Sequence, residues 1–482
     1  MRRTATALLS LSLTCLGACP WAPPARAAVR EVPAGGDGLA RAVAAAAPGD
    51  VLRLAPGLHQ GGVTIDKPLT VEGPPGHAAV IDAGGAGSAL TVTAPNVTVT
   101  GLTLKGSGAE QHAMDSGLLL MPTAAGARVV GNRVTGNLYG VYVQGPRDAT
   151  VEDNDIAGRT DLPMSQRGNG VTVWNAPGAR IIANRITGGR DGIFANASRQ
   201  DLFQGNRMEG VRFAIHYMYT NDSRVLGNVS VGNDIGFALM FSDRLEVRDN
   251  QSAGDRDYGL LLNYANASTI TGNRVEGRFR RTRPGQAMGD DGGDGAMMPR
   301  VAGTEGGFRT GTAKCVFVYN ANKNRIAGNR FEGCDIGIHF TAGAERNTLT
   351  GNAFIGNRTQ VMYVGTRSLD WSDHGRGNYW SDNPAFDLNG DGIADEAYRP
   401  NDLVDRVVWR FPAAKLLLNS PAIQVIRWAQ AQFPALHPGG VIDSAPLMKP
   451  PPMTSPPMTS PPMTGDAPVD ANAPLATASS QP

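Results

Sequence analysis

Through the middle of the chain, short runs in which apolar and polar residues alternate return at an almost constant interval. VVGNRVTG, VEDNDIAG, IIANRITG, FQGNRMEG, VLGNVSVG, VRDNQSAG, TITGNRVEG, IAGNRFEG and LTGNAFIG share one pattern, apolar positions on both sides of a turn that ends in Asn. Those Asn residues stand at 132, 154, 184, 206, 228, 250, 273, 329 and 352, at successive spacings of 22, 30, 22, 22, 22, 23, 56 and 23. The unit is 22 or 23 residues, with two insertions. Each unit also carries a run such as GVYVQ, GVTVW, GIFAN or GLLLN, whose period of two predicts a strand. No unit has room for a helix of ordinary length. Short strands and turns repeating at this interval predict a parallel β-helix, an all-β stack of coils. The recurrent Asn suits a left-handed turn or a stacked amide ladder, structural in either case.

Other patterns flank the array. GGDGLARAVAAAAPGDVLRLAPGLH predicts a short Ala-rich helix and a strand that cap one end, and VTIDKPLTVEG, AVIDAGG and LTVTAPNVTVTGLTLKG continue the strands. Beyond the array, PAAKLLLNSPAIQVIRWAQAQFPAL has helix-compatible apolar spacing interrupted by Pro421, and is expected to close the other end. PPMTSPPMTSPPMTG repeats without a face to bury and predicts disorder. The expected organisation is a leader at 1–27, a β-helix at 28–380 with an insertion at about 277–312, a capping segment at 381–449, and a Met/Pro-rich tail at 450–482.

Composition narrows the function. With 61 glycines, 6% aromatic residues, a formal net charge of +1 and no Lys/Arg-rich run, the chain lacks the basic stripe of a nucleic-acid binder. MRR, the apolar TATALLSLSLTCLGA and the small residues Ala25 and Ala27 predict an export signal cleaved before Ala28. LGAC, ending at Cys19, resembles a lipobox and makes a lipid anchor the alternative. Cleavage removes Arg2, Arg3 and Arg26, taking the charge from +1 to −2. It also removes Cys15 and Cys19, so Cys315 and Cys334 remain; in an exported protein they predict one disulfide, with copper ligation the alternative. No other apolar run reaches the ~18 residues of a membrane span.

Aligning the units on the strand after the turn assigns its faces. Val141/Val143, Val171/Val173, Ile215/Tyr217, Phe237/Leu239, Leu260/Leu262, Val316/Val318 and Ile338/Phe340 are predicted to point inward. Tyr142/Gln144, Thr172/Trp174, Phe194/Asn196, His216/Met218, Ala238/Met240, Leu261/Asn263, Phe317/Tyr319, His339/Thr341 and Met362/Val364 then face outward, with no Asp, Glu, Lys or Arg among them. Met218 and Met240 share a column in successive coils, with His216 two residues from Met218; His339 and Met362 form a second such group. Imidazole with thioether suits copper, and thioether favours Cu(I). The competing reading is a partner-docking or packed surface, for which adaptable Met side chains are equally suited.

In DLNGDGIADE, Asp387, Asn389 and Asp391 precede Gly392 as in the first half of an EF-hand loop. The twelfth position is Tyr398, so Asp395 or Glu396 would have to complete a structural Ca²⁺ site; a hydrogen-bonded turn without metal is the alternative. Met288, Met297 and Met298 in the insertion read as flexible surface, with copper capture or partner contact the alternative, and Met453, Met458 and Met463 in the tail read as disordered, with a weak Cu(I) tether the alternative.

The segment from QVMYVGTRSLDWSDHGRGNYWSDNPAFDLNGDGIADEAYRPNDLVDR through VIDSAPLM, with HYMYTND, ALMFSD and CDIGIHFTAGAERN, closely resembles the NosD family of exported, copper-related maturation proteins for nitrous oxide reductase. The likeness covers most of 29–449, apart from the insertion. It implies a right-handed coil and a periplasmic, non-enzymatic component of an ABC-transporter system, touching the membrane through that transporter. The implied partners are the ATPase NosF, the permease NosY, the copper-binding lipoprotein NosL and the reductase NosZ, with transient Cu(I) as cargo. It maps no ligand set onto this chain, and His216, Met218 and Met240, then His339 with Met362, remain candidates from the strand pattern. The rival is a carbohydrate-binding or -cleaving β-helix enzyme, which would need carboxylates, or a base beside Ca²⁺, on an open face.

Overall fold

The computed structural model describes residues 27–277, 312–365, 367–400, 420–433 and 440–453, with residues 403, 404, 407 and 417 between. All but the edges of the predicted leader, insertion and tail lie outside these residues. Phe213–Met218, Arg224–Leu226 and Val229–Val231 make one representative coil, and the next begins at Ile235. Stacking the coils builds three parallel sheets of 13, 12 and 13 strands. The 12-stranded sheet, running from Val63–Ile65 to Thr359–Val364, carries the outward columns.

Its register follows the repeat. Ile215 pairs Phe237, His216 pairs Ala238, Tyr217 pairs Leu239, and Met218 pairs Met240. One apolar core runs through the stack, holding Val141, Val171, Ile215, Tyr217, Leu239, Leu262, Val318 and Phe340 at 0–1% exposure. The inward face is therefore the one alternation assigns. Just before each inward pair the chain turns a tight corner, occupied by Gly236 and Gly259 in neighbouring coils. A Cβ on Gly236 would lie 2.4 Å from the Gly259 carbonyl oxygen, so the approach of the coils selects glycine. Ala214 and Cys315 fill the same corner elsewhere, and Cys315 reaches through the core to a disulfide with Cys334, as the cysteine count predicts.

The recurrent Asn residues form the amide ladder. Asn228 Oδ1 accepts from Asn206 N at 3.0 Å and Asn206 Nδ2 at 2.9 Å; its Nδ2 donates to the Phe203 carbonyl at 2.9 Å and to Asn250 Oδ1 at 3.0 Å. The left-handed backbone falls on the residue before the ladder Asn, such as Gly227 at φ 61° or Asp249 at φ 58°. The ladder runs past Asn352 to Asn378, whose N–H donates to Asp443 Oδ2 at 2.7 Å. A carboxylate with no N–H to pass on ends the chain of amides.

Each end is capped. The predicted Ala-rich helix spans Gly38–Ala45 and buries Leu39 and Val43, and the strand Val29–Val32 that precedes it starts the first sheet. At the far end Trp371 and Trp380 close the core, with Trp380 stacked on Phe354 at 4.4 Å and its Nε1 donating to Asp443. The helix predicted to do this does not bury its apolar residues: Val425 and Trp428 are each 62% exposed. Pro421 starts that helix, Pro421–Gln432, behind the Ser420 cap and does not interrupt it. Proline fits there because the first helical N–H has no partner to lose.

Candidate metal centre

The strand Phe213–Met218 projects His216 and Met218 outward, and the register puts Met240 beside Met218. The group is therefore assembled as alternation predicts. Its environment is more closed than an outward direction suggests. His216 is 8% exposed, and Met240, at 4%, packs in a second apolar cluster with Ile235, Ala238, Leu261 and Phe317; Met218 flanks that cluster half-buried. Parallel strands lie ~4.8 Å apart, so large side chains in one outward column cover each other.

What surrounds His216 was not evident from the strand columns. Its Nδ1 lies 3.1 Å from Oδ2 of Asp191, a carboxylate only 2% exposed one coil earlier. The Arg212 guanidinium holds both oxygens of that carboxylate, Nε and Nη2 each at 2.8 Å. Burial alone would raise the Asp191 pKa, but the bonds from His216 and Arg212 overcome it and hold it at about 2. The imidazole is further fixed by Phe213, ring centroid at 4.5 Å, and Phe194 at 5.1 Å, and Arg212 lies over the Phe213 ring at 4.4 Å. A neutral His216 that donates Nδ1–H to the ionised Asp191 has its lone pair on Nε2. A carboxylate behind a histidine in this way fixes its tautomer for metal ligation at the other nitrogen. The residues present therefore fit a soft cation.

The second group is also in register: His339 pairs Met362, and its ring stacks on Phe317 at 4.7 Å. Its surroundings differ in charge. Nδ1 of His339 is buried without a hydrogen-bond partner. Lys314, 6% exposed, projects onto the outer face one coil earlier, with Nζ 4.3 Å above the Phe317 ring and 5.0 Å from that of Tyr258. Burial lowers the lysine pKa to about 8, Asp257 partly opposing. Burial, and secondarily the Lys314 charge, lowers the His339 pKa to about 3, so this imidazole stays neutral.

The outer face thus bears a lysine and an aspartate that the columns, begun at the first inward residue, left out. Extending each column two residues towards the turn finds both: Asp191 precedes Ile193 as Lys314 precedes Val316.

In the 387–396 loop the acidic side chains serve their own backbone. Asp387 accepts from the N–H groups of Gly390 and Gly392, Asp391 from that of Ile393, and Asp395 from that of Leu388; Asn389 accepts from that of Asp391. Among the described residues no three His, Cys, Asp or Glu side chains converge as a metal cage. Nor is any described helix long and apolar enough to cross a membrane.

Comparison with known proteins agrees with the sequence resemblance. Residues 153–385 match the family model described as periplasmic copper-binding protein (NosD). The probable ABC transporter binding protein NosD of Stutzerimonas stutzeri is 42% identical over 399 residues, covering 83% of this chain and 87% of that protein. Its namesake in Pseudomonas aeruginosa is 41% identical over 398 residues, covering 83% and 88%. Among solved structures, the DFA-IIIase of Arthrobacter chlorophenolicus A6 in complex with GF2 is similar at a TM-score of 0.47 and 15% identity, over 75% of this chain and 97% of that one. With more than four-fifths of the chain aligned to two such relatives, the protein is a member of the NosD family, whose model is that of a periplasmic copper-binding protein.

Proposed function

We propose that this protein is a non-enzymatic copper carrier in the periplasm, docked on an ABC transporter and supplying copper for the maturation of nitrous oxide reductase. The transporter would be built from NosF and NosY, with NosL and NosZ as the proteins between which copper passes. The names of the relatives support the transporter, and the family description supports copper and the compartment. We assign Cu(I) to His216 Nε2 with the thioethers of Met218 and Met240. The observation that carries this assignment is the buried Asp191, which accepts from His216 Nδ1 and is itself gripped by Arg212. Such a second layer holds a metal-ligating imidazole in one orientation and tautomer.

The test is an anaerobic Cu(I) titration of the mature protein against a competing chelator, beside His216→Ala and Met218→Ala/Met240→Ala. Stoichiometric binding lost in both variants supports the site; binding unchanged in both removes it. Copper content of nitrous oxide reductase purified from cells carrying the same variants then tests the delivery role, which predicts a copper-poor reductase.

A further inference from the structure

The two His-Met groups share a Phe–His pair with a charged residue one coil back, of opposite sign in the two; they differ in the methionines, Met362 pairing His339 itself while Met218 and Met240 pair two residues beyond His216. Asp191 and Lys314 each stand three residues before a phenylalanine, Phe194 and Phe317, and 25 residues before a histidine, His216 and His339. In both copies the phenylalanine pairs with that histidine across adjacent strands, Phe194 with His216 and Phe317 with His339. Where the first copy offers a carboxylate that accepts from the imidazole, the second offers an ammonium that has nothing to accept with.

We propose that Lys314 is a specificity residue whose buried charge keeps copper off the His339–Met362 pair and confines it to the His216 group. The 4.3 Å from Nζ to the Phe317 ring and the 4.7 Å from that ring to the imidazole bound the separation of ammonium and imidazole at about 9 Å. Lys314 is 6% exposed, so solvent screens its charge weakly, while Asp257 supplies some counter-charge. A unit charge at about 9 Å in an effective dielectric of ~20 weakens a monovalent cation's binding roughly 20-fold. Without Lys314, the pair offers Cu(I) an imidazole with a buried, unpartnered Nδ1 and a thioether in register on the next strand. The charge thereby confines copper to one of the two His-Met groups. A carrier with a single site has no second resting place for its cargo.

This inference rests on the outer face being a Cu(I) surface, and its test separates the two. Lys314→Leu removes the charge and adds no metal-ligating atom; Lys314→Arg keeps the charge. Both are titrated anaerobically with Cu(I) against a chelator, with X-ray absorption to count sulfur and nitrogen ligands. The expected result is one tightly bound copper in the wild type, lost in His216→Ala, and a second in Lys314→Leu that Lys314→Arg does not acquire. That second copper disappears in Lys314→Leu/His339→Ala, and any wild-type binding at the same pair is weaker by roughly 20-fold. No gain in Lys314→Leu, an equal gain in Lys314→Arg, or a wild type that binds copper at His339 as tightly as Lys314→Leu does would each overturn the role of Lys314. A wild type that binds nothing while Lys314→Leu binds one copper at His339 would sink the His216 assignment and leave the lysine's role standing.

Discussion

Replacing Asp191 by Asn probes the site through a residue that need not touch the metal. The substitution keeps the shape of the side chain and one oxygen that can still accept from His216 Nδ1. It removes the charge that draws both Arg212 nitrogens to 2.8 Å, and it turns an amide NH₂ towards a guanidinium. Two effects of known sign follow. The carboxyl is held at about 2 in the folded protein against an ordinary 3.8. Its ionised form therefore stabilises the fold above the ordinary value, by about 2 kcal/mol, and that stabilisation is lost as pH falls through about 2. Wild type and variant should differ by about this much in urea unfolding at pH 7 and converge as pH drops from about 4 to about 2. Copper affinity should fall by about 10- to 100-fold, the usual effect of losing the group that orients a metal-bound histidine. Competition with a Cu(I) chelator at neutral pH, at a temperature where both proteins are folded, measures it. If the variant binds copper within threefold of wild type while His216→Ala binds none, His216 is a ligand but Asp191 does not position it, and the second layer is only structural.

Three further predictions test the frame that holds the site. Cys315→Ala/Cys334→Ala removes a bond closing a loop of 19 residues' separation; alanine already fits that corner at Ala214, so the loss should be about 3 kcal/mol of stability, read by urea unfolding, and a loss below about 1 kcal/mol would count against the bond as a brace. Asn228→Ala deletes four hydrogen bonds at a position with no exposure and leaves the Asn206 N–H and Phe203 carbonyl without those partners. It should cost about 3 kcal/mol or more, whereas the same change at half-buried Asn196, outside the ladder, should cost less than 1 kcal/mol. Burial pushes the Asp201 pKa up to about 7, with its Oδ2 and the Tyr217 hydroxyl both buried and unpartnered. The folded carboxyl therefore keeps its proton above the pH at which the unfolded one loses it, and stability falls as pH rises from about 4 to about 7. Asp201→Asn should gain on wild type by up to about 4 kcal/mol across that window, and parallel pH-stability curves would contradict this.

Much of this is legible in the chain because a coil writes its geometry in covalent order: period two gives the face of a strand, and period 22 gives its neighbour. Thus Met218 and Met240 fall together in the sequence and in the sheet. The end of the amide ladder does not follow from that period, since Asn378 comes 26 residues after Asn352, and Asp443 a further 65 residues on. Direction also differs from exposure. Alternation says that Met240 points out, but only the packing of Ala238, Leu261 and Phe317 around it says that it is covered. The charges behind the two histidines stood outside the aligned columns because the tight corner puts two inward positions, such as Cys315 and Val316, next to each other and breaks the alternation there.

That break in period is where the two groups become different. A stack of coils repeats backbone position, so residues in one column meet nearly the same surroundings, and a histidine on the outer face has no intrinsic reason to bind metal better in one coil than in another. The distinction must come from side chains of adjacent coils, and at His216 and His339 it comes from the same place in both, one coil back and three residues before the phenylalanine. A carboxylate there orients an imidazole; an ammonium there repels the cation that the imidazole would bind. The repeat supplies the same Phe–His pair twice, and on the proposal made above the charged residue behind each pair decides which of them takes copper.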